Sequence, residues 1–164
     1  VENMGKACTD NLTGLLNRKY LEQFVDHVIE RKEAGCLYML DLDNFKKVND
    51  TYGHMAGDKV LKQFAKILKN AVRDEDVCCR LGGDEFSIFA SGTRIDYANI
   101  LANRIIEDSK NRLKEVEGGH LISVSIGIAE LSSNMHAFQD IYTKADDALY
   151  YVKKNGKSGY HINY

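Results

Sequence analysis

Apolar residues recur along this chain with two periods, and the switching between them lays out the elements. Over residues 18–32, Leu21, Phe24, Val25, Val28 and Ile29 fall at helical spacing, with Gly35 as the expected stop. A polar, turn-rich lead-in at 9–18 precedes them. Residues 36–42 run almost without polar interruption, which predicts a buried central strand ending on Asp41, Leu42 and Asp43. Phe45, Val48 and Tyr52 predict a short helix broken at Gly53. Val60, Leu61, Phe64, Ile67, Leu68 and Val72 predict a longer one over 57–73. Then Arg80-Leu81-Gly82-Gly83-Asp84-Glu85-Phe86, set among strand formers, reads as a tight β-hairpin with both glycines at its tip. A helix over about 96–116 presents Ile100, Leu101, Ile105 and Leu113 and breaks at Gly118-Gly119. Residues 121–130 alternate Ile122, Val124, Ile126 and Ile128 with Ser123, Ser125 and Gly127, the pattern of a half-buried strand. Phe138, Ile141, Tyr142, Ala145, Leu149 and Val152 mark a last helix, and residues 159–164 a closing strand.

The order α-β-α-α-β-β-α-β-α-β predicts an α+β fold with a central, mostly antiparallel sheet flanked by helices. A chain of 164 residues, with no repeat or linker and no proline, fits one domain. Its net charge of −2 offers no basic surface to nucleic acid or anionic lipid, so a polyanionic ligand would need local lysines and a metal. No apolar run of membrane-spanning length and no signal peptide is visible. The expectation is a cytoplasmic domain without direct membrane insertion, free or as part of a membrane-anchored or multidomain protein. The start at Val1 instead of Met suggests a piece of something longer. Cys8, Cys36, Cys78 and Cys79 form no CxxC pair, and adjacent Cys78 and Cys79 point to opposite faces of a strand. A reducing compartment suits them better than disulfides or zinc.

Several generic signatures fail. Gly156-Lys157-Ser158 mimics the end of a P-loop, but Tyr151 stands where the first glycine belongs. The run Asp41 to Phe45 puts phenylalanine where a calcium loop needs an oxygen ligand. His27, His54, His120, His136 and His161 are never at HxH or HxxxH spacing, and four of them read as surface residues. What remains is two acidic pairs, Asp41/Asp43 and Asp84/Glu85. Carboxylates about 4 Å apart repel by about 1 kcal/mol in water and ~4 kcal/mol near a protein surface. Such a cluster takes up a proton or recruits a cation, and all-oxygen ligands select Mg²⁺ or Mn²⁺. The simpler alternative is that Asp41 and Asp43 cap the next helix; at the end of an apolar strand, Asp41 suits that role poorly.

Gly82-Gly83-Asp84-Glu85-Phe86 is, letter for letter, the motif that names the GGDEF-domain diguanylate cyclases, and the chain resembles that family over almost its whole length. Asp10, Leu12, Thr13, Asn17 and Arg18 are similar to its opening motif; residues 41–58 to its central one; 124–129 and 145–157 to its closing ones. The resemblance implies a single GGDEF domain over 1–164, the output part of a longer protein with a sensor domain elsewhere, and a fold like nucleotidyl cyclase and polymerase palm domains. It implies that two GTP molecules become cyclic di-GMP and two pyrophosphates, each 3′-hydroxyl attacking the other's α-phosphate across a homodimer. By the same resemblance Asp41, the Leu42 carbonyl and Asp84 hold Mg²⁺ or Mn²⁺, and Asp84 with Glu85 serves as base. Lys46 offsets phosphate charge, Lys153 and Lys157 grip the β/γ-phosphates, and Gly82 and Gly83 let phosphate approach the backbone. Asn49 and Asp58 read guanine, with His54 nearby; the alternatives are solvated helix surface for the lysines and a favourable helix-start carboxylate for Asp58. Arg73 and Asp76 form an RxxD pattern just ahead of Gly82 which, with Arg104, matches the family's product-inhibition site. Two departures stand out: Ser158 replaces a usual Asn or Asp, and Lys157 a common Arg, a point charge in place of a bidentate fork. A receptor that binds without turnover and a plain dimerisation module are the rival readings; intact Asp41, Asp84 and Glu85 speak against the first.

Overall fold

The computed structural model describes residues 8–164. Among these residues five α-helices and five strands follow in the order α1 (Arg18–Glu30), β1 (Gly35–Asp43), α2 (Phe45–Tyr52), α3 (His54–Ala71), β2 (Val77–Gly82), β3 (Glu85–Ser91), α4 (Ala98–Arg112), β4 (Ser123–Glu130), α5 (Phe138–Lys154) and β5 (Gly159–Asn163). The sheet order is β2-β3-β1-β4-β5. All neighbours are antiparallel except β4 and β5. The expected α+β architecture is therefore present, with the apolar strand β1 at the centre.

Side chains alternate along β1 into two cores. Cys36, Tyr38, Leu40 and Leu42 meet Phe64, Ile67 and Leu68 of α3 and Ala98, Ala102 and Ile105 of α4. Leu37 and Met39 meet Leu21 and Val25 of α1 and Ile141, Ala145 and Leu149 of α5. Cys78 and Cys79 divide between these cores as expected, and the four cysteines are free and buried. No helix among the described residues is long and apolar enough to cross a membrane.

Local expectations fail where packing overrides pattern. Helix α1 ends at Glu30 with Arg31 as its cap, not at Gly35: Lys32, at φ 56°, turns the chain while its N–H donates to the Ile29 carbonyl and that of Glu33 to the Val28 carbonyl. Gly35 instead opens β1, where a Cβ would strike the Phe89 ring. Strand β4 is buried on both faces, not half-buried, because α5 lies directly on Ser125, Gly127 and Ala129. A Cβ at Gly127 would meet the backbone of α5 at Ala145 and Leu149. On α4 the buried stripe is Ala98, Ala102, Ile105 and Ser109, which leaves Ile100 55% exposed. Helix α3 begins at His54, three residues before the expected start, straight after Gly53 at φ 91°.

Candidate functional site

The carboxyl end of β1 carries the two aspartates, and the β2–β3 hairpin brings the second acidic pair to them. Asp41 pairs in register with Glu85, and the Leu42 N–H donates to the Asp84 carbonyl at 3.3 Å. Gly82 and Gly83 take φ 148° and 51°, backbone that favours glycine. Gly82 still pairs with Glu85, so the tip is Gly83-Asp84 and not the two glycines. Arg80 braces it: its Nε donates to the Gly83 carbonyl at 3.0 Å and its guanidinium to Asp10 Oδ1 at 2.9 Å. Asp10 in turn accepts from the Thr13 N–H and hydroxyl. Burial pushes the Asp10 carboxyl up, but Thr13 and Arg80 outweigh it and leave it below the ordinary range.

Beneath Asp41 lies an anchor that the sequence reading missed. Asp43 is 1% exposed and caps no helix; the residue before α2 is Asn44, whose side chain makes no cap bond. Asp43 accepts from Ser123 Oγ at 2.6 Å, Ser125 Oγ at 2.8 Å, Lys153 Nζ at 2.6 Å and the Ser158 N–H at 3.2 Å. Burial raises its pKa, and these donors more than reverse it. The signal lay in two serines facing inward on an otherwise aliphatic strand, which need a buried polar partner.

Lys153 also reaches Asp41 Oδ2 at 3.0 Å. The other oxygen, Oδ1, is buried without a hydrogen-bond partner. The Asp41 carboxyl is pushed up to about 6, first by burial and then by the charge of Asp84. Glu85 is also raised, by burial and then by Asp41 and Asp146. Among the described residues no group of three or more His, Cys, Asp or Glu side chains converges as a metal cluster. Two carboxylates with one orphaned oxygen nonetheless fit a hard cation that takes its remaining ligands from water and phosphate, as Mg²⁺ does.

A cavity of about 500 Å³ opens beside this edge, lined by Leu42, Lys46, Asp84, Lys153 and Lys157 among others. Five of the predicted site residues thus surround one space. Asn49, on α2, lies against Gly57 of α3, beside Asp58 in the chain. His54 is exposed at the start of α3, and among the described residues no hydrogen bond or ion pair joins it to the acidic edge. A cleft of about 580 Å³ between α1 and the turn after β3, with Phe24, His27, Arg31 and Gly92 in its walls, holds none of the predicted residues.

Arg73, Asp76 and Arg104 line no part of the cavity beside the acidic edge. Arg73 holds Asp76 through two side-chain bonds, Nε to Oδ2 at 3.2 Å and Nη2 to Oδ1 at 2.7 Å, and also reaches the Ser91 carbonyl. Arg104 donates to the carbonyl of Ala71, the last residue of α3 and two positions before Arg73.

The profile of the family described as "Diguanylate cyclase, GGDEF domain" matches residues 7–159. The chain belongs to the GGDEF-domain family. This GGDEF domain is 40% identical over 162 residues to diguanylate cyclase DgcS of Shewanella oneidensis, covering 96% of this chain and 53% of that protein. It therefore spans about half of that relative. Among solved structures it is similar to the diguanylate cyclase SiaD of Pseudomonas aeruginosa, crystallised with its activator SiaC (TM-score 0.87, 30% identity, 98% of this chain and 64% of that one). It is also similar to the coiled coil and GGDEF domain of DgcB from Caulobacter crescentus in complex with c-di-GMP (TM-score 0.82, 28% identity, 98% and 88%).

Proposed function

We propose that this GGDEF domain is a diguanylate cyclase: two copies, each holding one GTP, face one another and join the nucleotides into cyclic di-GMP, releasing two pyrophosphates. The observation that carries the reading is the buried, unpartnered Asp41 oxygen beside Asp84, at the rim of a cavity walled by Lys46, Lys153 and Lys157. Asp41, Asp84 and the Leu42 carbonyl would hold Mg²⁺ or Mn²⁺. When bound, the ion supplies charge neutralisation at the transferring phosphoryl group and lowers the pKa of the attacking hydroxyl.

The protein's own groups do the rest. Lys153 and Lys157 grip the β/γ-phosphates and Lys46 offsets charge that develops on them; Gly82 and Gly83 leave the backbone open to phosphate. Asp84, with Glu85 beside it, accepts the 3′-hydroxyl proton; burial and neighbouring acids raise Glu85 towards that task. Asn49 and Asp58 read guanine, with His54 at the nucleotide's edge: a carboxylate pairs with guanine N1–H and N2–H₂, and an amide donor with O6. Adenine would leave both groups unpaired, a mismatch that can reject by roughly 10⁴-fold. A sensor domain on the same polypeptide would govern when two copies meet.

Incubation with GTP and Mg²⁺ or Mn²⁺ should yield pyrophosphate and cyclic di-GMP. Binding of GTP without turnover would favour a receptor, and neither would leave a dimerisation module. Cyclic di-GMP should also bind at Arg73, Asp76 and Arg104, where the guanidinium groups of the two arginines suit phosphate and guanine edges. Titration calorimetry should register product binding that Arg73→Ala abolishes; unchanged binding in that variant would refute an inhibitory site there.

A further inference from the structure

Gly57 sits inside α3, where an alanine would ordinarily favour the helix. It is buried, and a Cβ placed on it would collide with Asn49 Oδ1, lie 3.0 Å from Asn49 Cγ and 3.3 Å from the Phe45 ring. Among the described residues the Asn49 amide takes no hydrogen bond, so packing alone sets its direction. The amide oxygen lies where the Gly57 Cα–H can meet it as a weak donor. The NH₂ end is thereby left for a ligand, and a purine with an acceptor at C6 needs that end.

We infer that Gly57 is a specificity-determining positioning residue: its missing side chain is the socket that aims the Asn49 amide, and so selects a 6-oxopurine over a 6-aminopurine nucleotide. The inference rests on the proposed role of Asn49 and deepens it. Gly57 touches no nucleotide itself. Any side chain at 57 turns the amide away while leaving Asp58, the lysines and the acidic edge in place. The helix forgoes propensity at this position for the sake of a neighbouring side chain's orientation.

The test is a double-mutant cycle on the intact domain, with GTP and ATP affinities measured calorimetrically in Mg²⁺ and melting followed by circular dichroism. Gly57→Ala should melt at or above the wild-type temperature, lose at least about tenfold in GTP affinity, and leave ATP affinity unchanged. Asn49→Ala should lose as much, and the double variant no more than either single one. A full GTP/ATP preference in Gly57→Ala, or losses that add in the double variant, overturns the inference alone. If Gly57→Ala fails to fold, the Asn49→Ala/Gly57→Ala protein, relieved of the clash, should fold; failure of both overturns the socket. Equal wild-type affinity for the two nucleotides overturns the guanine reading, and the inference with it.

Discussion

Asp41 and Asp43 leave β1 on the same side, with Leu42 between them, and meet opposite surroundings. Asp43 is met by two serine hydroxyls, a lysine and a backbone N–H, and is held below the usual carboxylate pKa. Asp41 shares the same lysine but keeps one oxygen bare, faces Asp84, and titrates near 6. The difference separates support from chemistry. A carboxylate whose bonds are all made holds its neighbours still; one left short of a partner is poised to take an ion or a proton. Lys153 belongs to both environments, and its own pKa is raised by Asp43 and Asp41 despite burial.

The sharpest way to break this contrast is to remove the satisfied member. Asp43→Ala should leave Lys153 with Asp41 alone, take the acceptor from Ser123 and from buried Ser125, and cost about 3 kcal/mol in urea unfolding, near the lower end for a broken buried pair because Lys153 keeps 25% exposure. GTP affinity should fall with it, more than affinity for GMP, because Lys153 and the Ser158 turn lose their anchor.

A smaller effect of opposite sign is expected at Asp41. Asp41→Asn removes a desolvated charge beside Asp84 and should stabilise the metal-free domain by on the order of 1 kcal/mol. Mn²⁺ should raise the melting temperature of the wild type, and the variant should lose that rise. The folded-state pKa is above the unfolded one, so the folded form binds the extra proton. Wild-type metal-free stability should therefore fall as pH rises from about 4 to about 6, and this slope should vanish in the variant.

Asp10 extends the satisfied class to the hairpin. Asp10→Asn should cost about 1 kcal/mol, since the Arg80 pair is only 15% and 17% exposed. Its pKa is lowered on folding, so its contribution is present above about pH 4 and should be lost as pH falls through the folded value. Urea titrations of wild type and variant should converge in acid.

Much of this was legible along the chain. The uninterrupted run at 36–42 became the central strand, and the acids of two distant segments met at its end. For Asp43 the sequence left a helix cap open beside the acidic pair, because nothing local distinguishes a capping aspartate from one bonded to a strand 80 residues away. Ile100 was misread because helical periodicity tells which residues share a face, not which face meets the sheet, and here alanines pack closest. Lys32 replaced Gly35 at the end of α1 because the helix frayed early into a turn whose two bonds offset an unfavourable φ.

By itself the sequence determined the order of the elements, the presence of the β2–β3 hairpin and the inventory of acids, lysines and polar groups beside them, because period, turn chemistry and charge are local properties. Only the tertiary structure decided which aspartate is satisfied and which is bare, and that Gly57 is where Asn49 rests. Those outcomes depend on which polar groups from remote strands and helices arrive within about 3 Å, and on where desolvation leaves a group without water to replace them.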